Sequence, residues 1–348
     1  MLRLFKNNKN KIMTAFRAIF GVALALILIH SILNITGGNP WEAIVQANTP
    51  LLLTVILIQG LMICSTSYRW GLLLRVQKIY LPLWNLIRLT LIGVFFNLTL
   101  PGSVSGDLIK MTLIAKATKT RKTEGVFTIV LDRALGLLGL FIVTSIAVLI
   151  YLPFLLDLDQ KYRFVQISAI IVGFGSFVGI SGIALIEMRQ TIMNYSMVSR
   201  FVNRGARLFP VAVVSLISRI VTALELYRKN RSTIIVSIAL SILVHSLYAI
   251  NVYLLSRSVG ADFLELGGFF LAVSIANTVA AIPLTPGGIG TRDAVLAIFL
   301  VSMNAPLEIV GVIPVLMTLV IIFWGFIGGF IFILYKNQKL QKQFVNVA

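Results

Sequence analysis

The sequence predicts an all-α polytopic membrane protein with six full spans and two re-entrant broken hairpins in an inverted-topology repeat. Three observations lead there. Of the 348 residues, 58% are hydrophobic and 12% charged, against roughly 25% charged in a soluble domain, so there is too little polar surface to wrap a soluble core. Six apolar stretches reach the roughly 20 residues needed to cross the hydrocarbon layer, and two more are interrupted midway by Pro and Gly. Finally, 25 of the 30 Lys and Arg residues fall in alternate connections, the asymmetry that sets the orientation of spans. A cytosolic enzyme, a disordered chain and a secreted disulfide scaffold are thereby excluded, the last by a single cysteine, Cys64. With only His30 and His245 for imidazole ligands, no metal or cofactor is expected.

The first span, 17–34, follows five cations (Arg3, Lys6, Lys9, Lys11, Arg17) with no acid among them. No small-x-small cleavage site precedes Thr36-Gly37-Gly38, so the segment reads as a retained anchor rather than a signal peptide. The second span is 49–66. The stretch 86–115 is broken at Pro101-Gly102, and each half is too short to cross. Such a piece suits a hairpin, where irregular backbone is held inside protein. A third span, 126–152, closes the first half of the chain. The second half repeats the order: a span at 164–187, a span at 233–256, a stretch at 267–302 broken at Pro283 and Pro286-Gly287-Gly288, and a span at 306–335.

Cations cluster at 67–88, 110–122, 188–232 and beyond Tyr335. The segments 35–48, 153–163, 257–266 and 290–308 hold only Lys161, Arg163, Arg257 and Arg292 against seven acids. Both termini are therefore expected on the cytoplasmic side of the cell membrane. The first broken hairpin then enters from the cytoplasm and the second from outside. In a soluble chain, a net charge of +18 would point to nucleic acid. Here the cations line the side that faces anionic lipid, so membrane lipids, anionic phospholipid included, are the expected partners and nucleic acid is not.

The chain reads as a single membrane domain, 1–348, holding a first repeat at 17–152 and a second at 164–335. Each second-repeat element starts on the opposite side from its counterpart. The breaks also look alike: Pro101-Gly102-Ser103-Val104-Ser105-Gly106-Asp107 against Pro286-Gly287-Gly288-Ile289-Gly290-Thr291-Arg292-Asp293. Paired Gly/Pro-broken segments in inverted repeats place a binding site at the repeat interface. The basic linker 188–232 departs from the symmetry. Val213, Leu216, Ile217, Ile220, Leu224 and Tyr227 recur there at helical spacing, as in an amphipathic helix on the cytoplasmic surface.

At the second break a helix is expected from Thr291 as N-cap, with its positive dipole end facing the break. Gly287, Gly288 and Gly290 let a ligand approach the backbone, and Arg292 adds a guanidinium suited to phosphate. At the first break, Ser103 or Ser105 is the expected cap. Asp107 lies in the first turn with Lys110 in position to pair with it. Asp132 and Arg133 lie about two turns into a span. Ionisable groups at that depth face a cavity or one another, and adjacent residues need separate partners; a structural ion pair and a ligand role both stand. These residues, with Asn97 and Asp293, form the candidate headgroup-binding set. Arg69 is expected to snorkel to the interface and His245 to make an interhelical hydrogen bond. Gly175-x-x-x-Gly179 and Gly325-x-x-x-Gly329 are expected at close helix contacts.

Four segments together resemble the lysylphosphatidylglycerol synthase transmembrane-region family, also called flippase-like. Phe95 to Asp107 is similar to its FFN-x-x-LPG-x-x-GGD stretch, with Ser105 where Gly is usual. Tyr68-Arg69-Trp70 resembles its RW, and Leu131-Asp132-Arg133 its LDR. Ile282 to Asp293 resembles its P-x-x-PGG-x-G-x-RE, with Asp293 where Glu is usual. The resemblance covers essentially the whole chain and implies a multi-pass protein tied to moving lipids between leaflets. In the multiple peptide resistance factor such a region precedes a cytoplasmic aminoacyl-transfer domain; with 13 residues after Tyr335, no such domain is expected here.

The expected function is flippase-like translocation of a phosphate-bearing lipid: a phospholipid, an aminoacyl-phospholipid or a polyprenyl-linked lipid. An enzymatic activity is not expected. Two other readings stand beside it. One is an accessory subunit serving envelope-synthesis enzymes. The other is a polyprenyl-dependent glycosyltransferase, for which Asp157-Leu158-Asp159 supplies a weak metal motif but the outer loops supply no domain.

Overall fold

The computed structural model describes residues 39–337 apart from 101–103, 119–120, 193–226, 228, 262–263 and 283, together with scattered positions between 27 and 37. The expected first span 17–34, most of the linker with its amphipathic helix, and Pro101, Gly102, Ser103 and Pro283 lie outside the described residues.

Among those described, helices are the only extended elements, and their order is α1 (Pro40–Gln46), α2 (Thr49–Val76), α3 (Leu83–Thr99), α4 (Ser105–Ala117), α5 (Lys122–Ile150), α6 (Leu152–Leu156), α7 (Arg163–Ile192), α8 (Arg231–Ser258), α9 (Leu266–Ala280), α10 (Thr291–Ser302) and α11 (Leu307–Asn337). Four of them, α2, α5, α8 and α11, are long and apolar enough to cross a membrane. At 30 residues, α7 matches them in length. Both interrupted stretches are helical hairpins: α3 packs on α4, and α9 on α10.

Local chemistry sets the helix starts. Asn39 accepts hydrogen bonds from the backbone N–H of Trp41 and Glu42, and Asn48 from that of Leu51, each followed by a proline in the first turn. Such caps satisfy N–H groups that have no partner within the helix. Asn48 also donates its backbone N–H to the carbonyl of Ser258 at 2.7 Å. This ties the start of α2 to the end of α8 and sets the two helices antiparallel.

Small residues let the helices cross closely. A Cβ on Gly328 of α11 would lie 2.0 Å from the Leu91 carbonyl oxygen of α3, and one on Gly325 would lie 2.3 Å from Leu98. The expected Gly325-x-x-x-Gly329 contact is therefore real, with Gly328 between them making the nearest approach. Gly175 behaves otherwise: it faces open space, because the close contact of α7 with α5 falls at Gly173 against Val148.

The largest core cluster joins Val55, Val148, Val252, Phe269, Phe299 and Ile313, drawn from α2, α5 and α8 to α11. A second one, built on Trp70, Leu74, Leu89, Ile114 and Ile129, packs the α3–α4 hairpin against α2 and α5. The outer faces are apolar as well: Leu57, Leu149, Ile171, Ile235 and Phe326 are each at least 60% exposed. Water would penalise such a surface and lipid would not.

Candidate functional site

The break in the second hairpin is a run of left-handed backbone. Gly287, Gly288 and Gly290 have φ of 58°, 74° and 82°, conformations that other residues adopt only at a cost. This turn carries the chain from α9 into α10 beside the end of α3: a Cβ on Gly287 would sit 3.5 Å from the Asn97 carbonyl oxygen. The end of α3 thus meets the break of the second hairpin.

The first hairpin is stitched from within. Asn97 accepts the Gly106 N–H at 2.7 Å, capping α4 from the end of α3. A Cβ on Gly106 would lie 1.9 Å from the Gly93 carbonyl oxygen, so no other residue fits there without moving a helix. The flanking residue of α4 is Val104, with Ser105 in the first turn rather than at the cap; Ser103, the other expected cap, lies outside the described residues, and the Gly106 N–H is met by the Asn97 amide from across the hairpin.

Beside the contact of Asn97 with Gly287 lies a cavity of about 430 Å³. Seven of the twelve sequence candidates line it: Asn97, Asp107, Lys110, Asp132, Arg133, Gly287 and Arg292. Gly288, Gly290, Thr291 and Asp293 stand behind the wall and shape it. Gly290, not Thr291, precedes the first turn of α10. Asp293 accepts the Gly290 N–H at 2.9 Å, and this carboxylate cap fixes the helix start one residue early. The Thr291 hydroxyl instead bonds the Gly288 carbonyl and approaches the Thr285 hydroxyl, both at 3.1 Å.

Three ion-pair clusters hold the wall together. Arg292 donates to Asp293 from Nε at 3.0 Å and from Nη2 at 2.6 Å, and also from Nη2 to the Thr318 hydroxyl. Thr318 in turn donates to the other Asp293 oxygen at 3.1 Å. Asp293 is wholly buried, and its charge is balanced by its neighbour in sequence. In the second cluster Arg69 Nε meets Asp132 at 2.8 Å, and Arg69 Nη1 donates to Ser241 at 2.6 Å. This links α2, α5 and α8.

The expected snorkelling of Arg69 is thereby overturned. Helix α2 continues to Val76 rather than ending near 66, so Arg69 sits on its inner face, 5% exposed, and finds a carboxylate there. A buried charge needs such a partner.

The third cluster separates Asp132 from its neighbour, as adjacent helical positions require. Arg133 Nη2 lies 2.7 Å from Asp107, with its side chain 43% exposed. Lys110 Nζ lies 3.9 Å from the same carboxylate and 4.5 Å from the centre of the Trp70 ring, a cation–π arrangement. The i,i+3 pairing of Asp107 and Lys110 is present but long. His245 Nε2 makes the expected interhelical bond, to the Gly136 carbonyl at 3.1 Å, and its ring also faces the cavity.

Sequence reading missed several lining residues, among them Gln59, Thr66, Thr90, Tyr248 and Asn277. They are polar positions within otherwise apolar helices, and that is the signal that would have found them.

The family model described as "Lysylphosphatidylglycerol synthase TM region" matches residues 18–329. A "UPF0104 membrane protein" of Methanothermobacter thermautotrophicus is 23% identical over 288 residues, covering 81% of this chain and 84% of its own. A second UPF0104 membrane protein, from Methanocaldococcus jannaschii, is 20% identical over 316 residues, covering 87% and 89%.

Proposed function

The chain belongs to the lysylphosphatidylglycerol synthase transmembrane-region family, and from that membership and the cavity we propose that it translocates a phosphate-bearing lipid between leaflets, flippase-like, in the cell membrane. One observation carries the reading: a polar cavity ringed by Arg69, Lys110, Arg133 and Arg292 lies where two broken hairpins meet inside an apolar bundle. Burying three of them, Arg69, Lys110 and Arg292, is costly, and such groups persist in membranes where they serve a pathway. The three carboxylates beside them, Asp107, Asp132 and Asp293, leave an excess of positive charge, which suits an anionic group.

Cation-rich segments at 67–88, 110–122 and 188–232 put both termini in the cytoplasm. The α3–α4 hairpin then enters from the inside and the α9–α10 hairpin from the outside, as inverted halves. Rocking of these halves carries the headgroup through the cavity while the acyl or prenyl tails stay in lipid. The protein works as a carrier rather than an enzyme, with lipids as its partners.

The test is reconstitution. Proteoliposomes holding the purified chain expose tail-labelled anionic phospholipid to a membrane-impermeant quencher. The reading expects faster loss of the protected fraction than in protein-free vesicles. Rates equal to the protein-free control contradict it and favour an accessory role in envelope synthesis.

A further inference from the structure

Charge is unevenly shared along the cavity, and this separates two subsites. Arg292 and Asp293 form a close pair, as do Arg69 and Asp132. Each pair is electrically neutral and nearly sealed from solvent. At the first hairpin the balance differs: Lys110 and Arg133 both draw on the carboxylate of Asp107, one of them at 3.9 Å. The excess positive charge therefore sits there, and Arg133, 43% exposed, marks that end as the mouth.

The opposite end is polar, and the charge nearest to it, Arg292, is balanced by Asp293. Helices α2 and α8 run antiparallel, joined at Asn48–Ser258 and Arg69–Ser241. Gln59 lies midway between the α2 contacts and Tyr248 between the α8 contacts, so the two stand at one level. That level is about 15 Å from Arg69 along α2 at the helical rise per residue. Both residues line the cavity, as does Asn277. Gln59 Oε1 is buried without a hydrogen-bond donor among the described residues. The Tyr248 hydroxyl lies beside the Arg292 guanidinium without completing a bond of normal geometry. Buried polar atoms left in this state are costly unless a partner arrives.

We infer that the cavity binds a lipid phosphodiester in two parts, the phosphate between Lys110 and Arg133 at the mouth, and beyond it an uncharged, hydroxyl-rich headgroup of about sugar size against Gln59, Tyr248 and Asn277. This deepens the proposed translocation and rests on it. Three features select the class. The cavity, about 430 Å³, falls in the range that holds a small organic molecule, far larger than a phosphate alone. The acceptor at Gln59 and the hydroxyl at Tyr248 are matched by ligand hydroxyls, which both donate and accept. An ammonium headgroup finds no carboxylate to meet it, because Asp107, Asp132 and Asp293 are each already bound to a cation. The order phosphate first, polyol deeper is also the one a lipid adopts when its tails trail in the bilayer outside the mouth.

The experiment compares lipids with one common labelled tail in the same proteoliposomes. The headgroups are inositol phosphate, bare phosphate, phosphoethanolamine, and a sugar linked without phosphate. The inference expects the inositol phospholipid to move at least tenfold faster than the other three. It also expects Gln59→Leu and Tyr248→Phe to bring its rate down towards that of the bare phosphate lipid. Lys110→Gln is expected to slow all phosphate lipids together. Equal rates for all phosphate lipids, or a faster ethanolamine or bare phosphate lipid, overturn the two-part site while leaving translocation standing. If none of the four moves above the protein-free rate, translocation itself fails and the two-part site falls with it. The headgroup comparison on the unaltered protein decides the matter even where a variant does not fold.

Discussion

At the scale of single residues, buried charges are placed in pairs, and each pair predicts its own double-mutant behaviour. Arg69 and Asp132 are each 5% exposed and joined at 2.8 Å. Removing one partner leaves a stranded charge, at a cost of about 3–5 kcal/mol, whereas an apolar pair of similar volume is far milder. Arg69→Met and Asp132→Leu are therefore each expected to lower the thermal midpoint in detergent markedly, and the double variant to recover most of it. An additive loss in the double variant would mean that the pair is not the reason these residues are there. Arg133 makes the contrasting case. With its side chain 43% exposed, water screens its bond to Asp107, and Arg133→Gln is expected to leave the midpoint within about 1 kcal/mol while slowing anionic lipid flux severalfold. Flux unchanged in that variant would remove Arg133 from the phosphate site.

At the scale of elements, the hairpins depend on glycine where backbones touch. Gly106→Ala pushes a methyl to within 1.9 Å of the Gly93 carbonyl and breaks the fit of Asn97 to the α4 N-terminus. The expected result is a loss of about 1–3 kcal/mol from overpacking, read as a lower thermal midpoint. Gly175→Ala, which meets nothing within 4 Å inside helix α7, is expected to leave the midpoint unchanged or raise it by up to about 1 kcal/mol; a loss there as large as at Gly106 would contradict the packing described. Most element positions were legible in the sequence because apolar length and Pro/Gly interruption are direct readouts of helices in lipid. The stretch 126–152 emerges as Lys122–Ile150, and 233–256 as Arg231–Ser258. What the periodicity hid is the extension of α2 through 67–76. Polar Ser67 and Arg69 look like the end of a span, although Ser67 donates to Thr90 and Arg69 meets Asp132 deep in the protein. Pairing between distant segments is invisible to a local pattern, and for the same reason Gln59 and Tyr248 passed unnoticed as cavity residues.

At the scale of the molecule, the account rests on two hairpins that dip into the bilayer from opposite faces and meet at Asn97 and Gly287. The distribution of cations argues for that orientation, and the contact of Asn97 with Gly287 supplies the meeting point. The most direct measurement is the sidedness of two exposed positions, Lys122 after the first hairpin and Glu308 after the second. Single cysteines are introduced as Lys122→Cys or Glu308→Cys in a Cys64→Ser background and treated with an impermeant maleimide on intact cells. The account predicts that Glu308→Cys is labelled at once and Lys122→Cys only after the membrane is permeabilised. Labelling of both from the same side would contradict it, because the hairpins would then share one face and no lipid headgroup could pass between them.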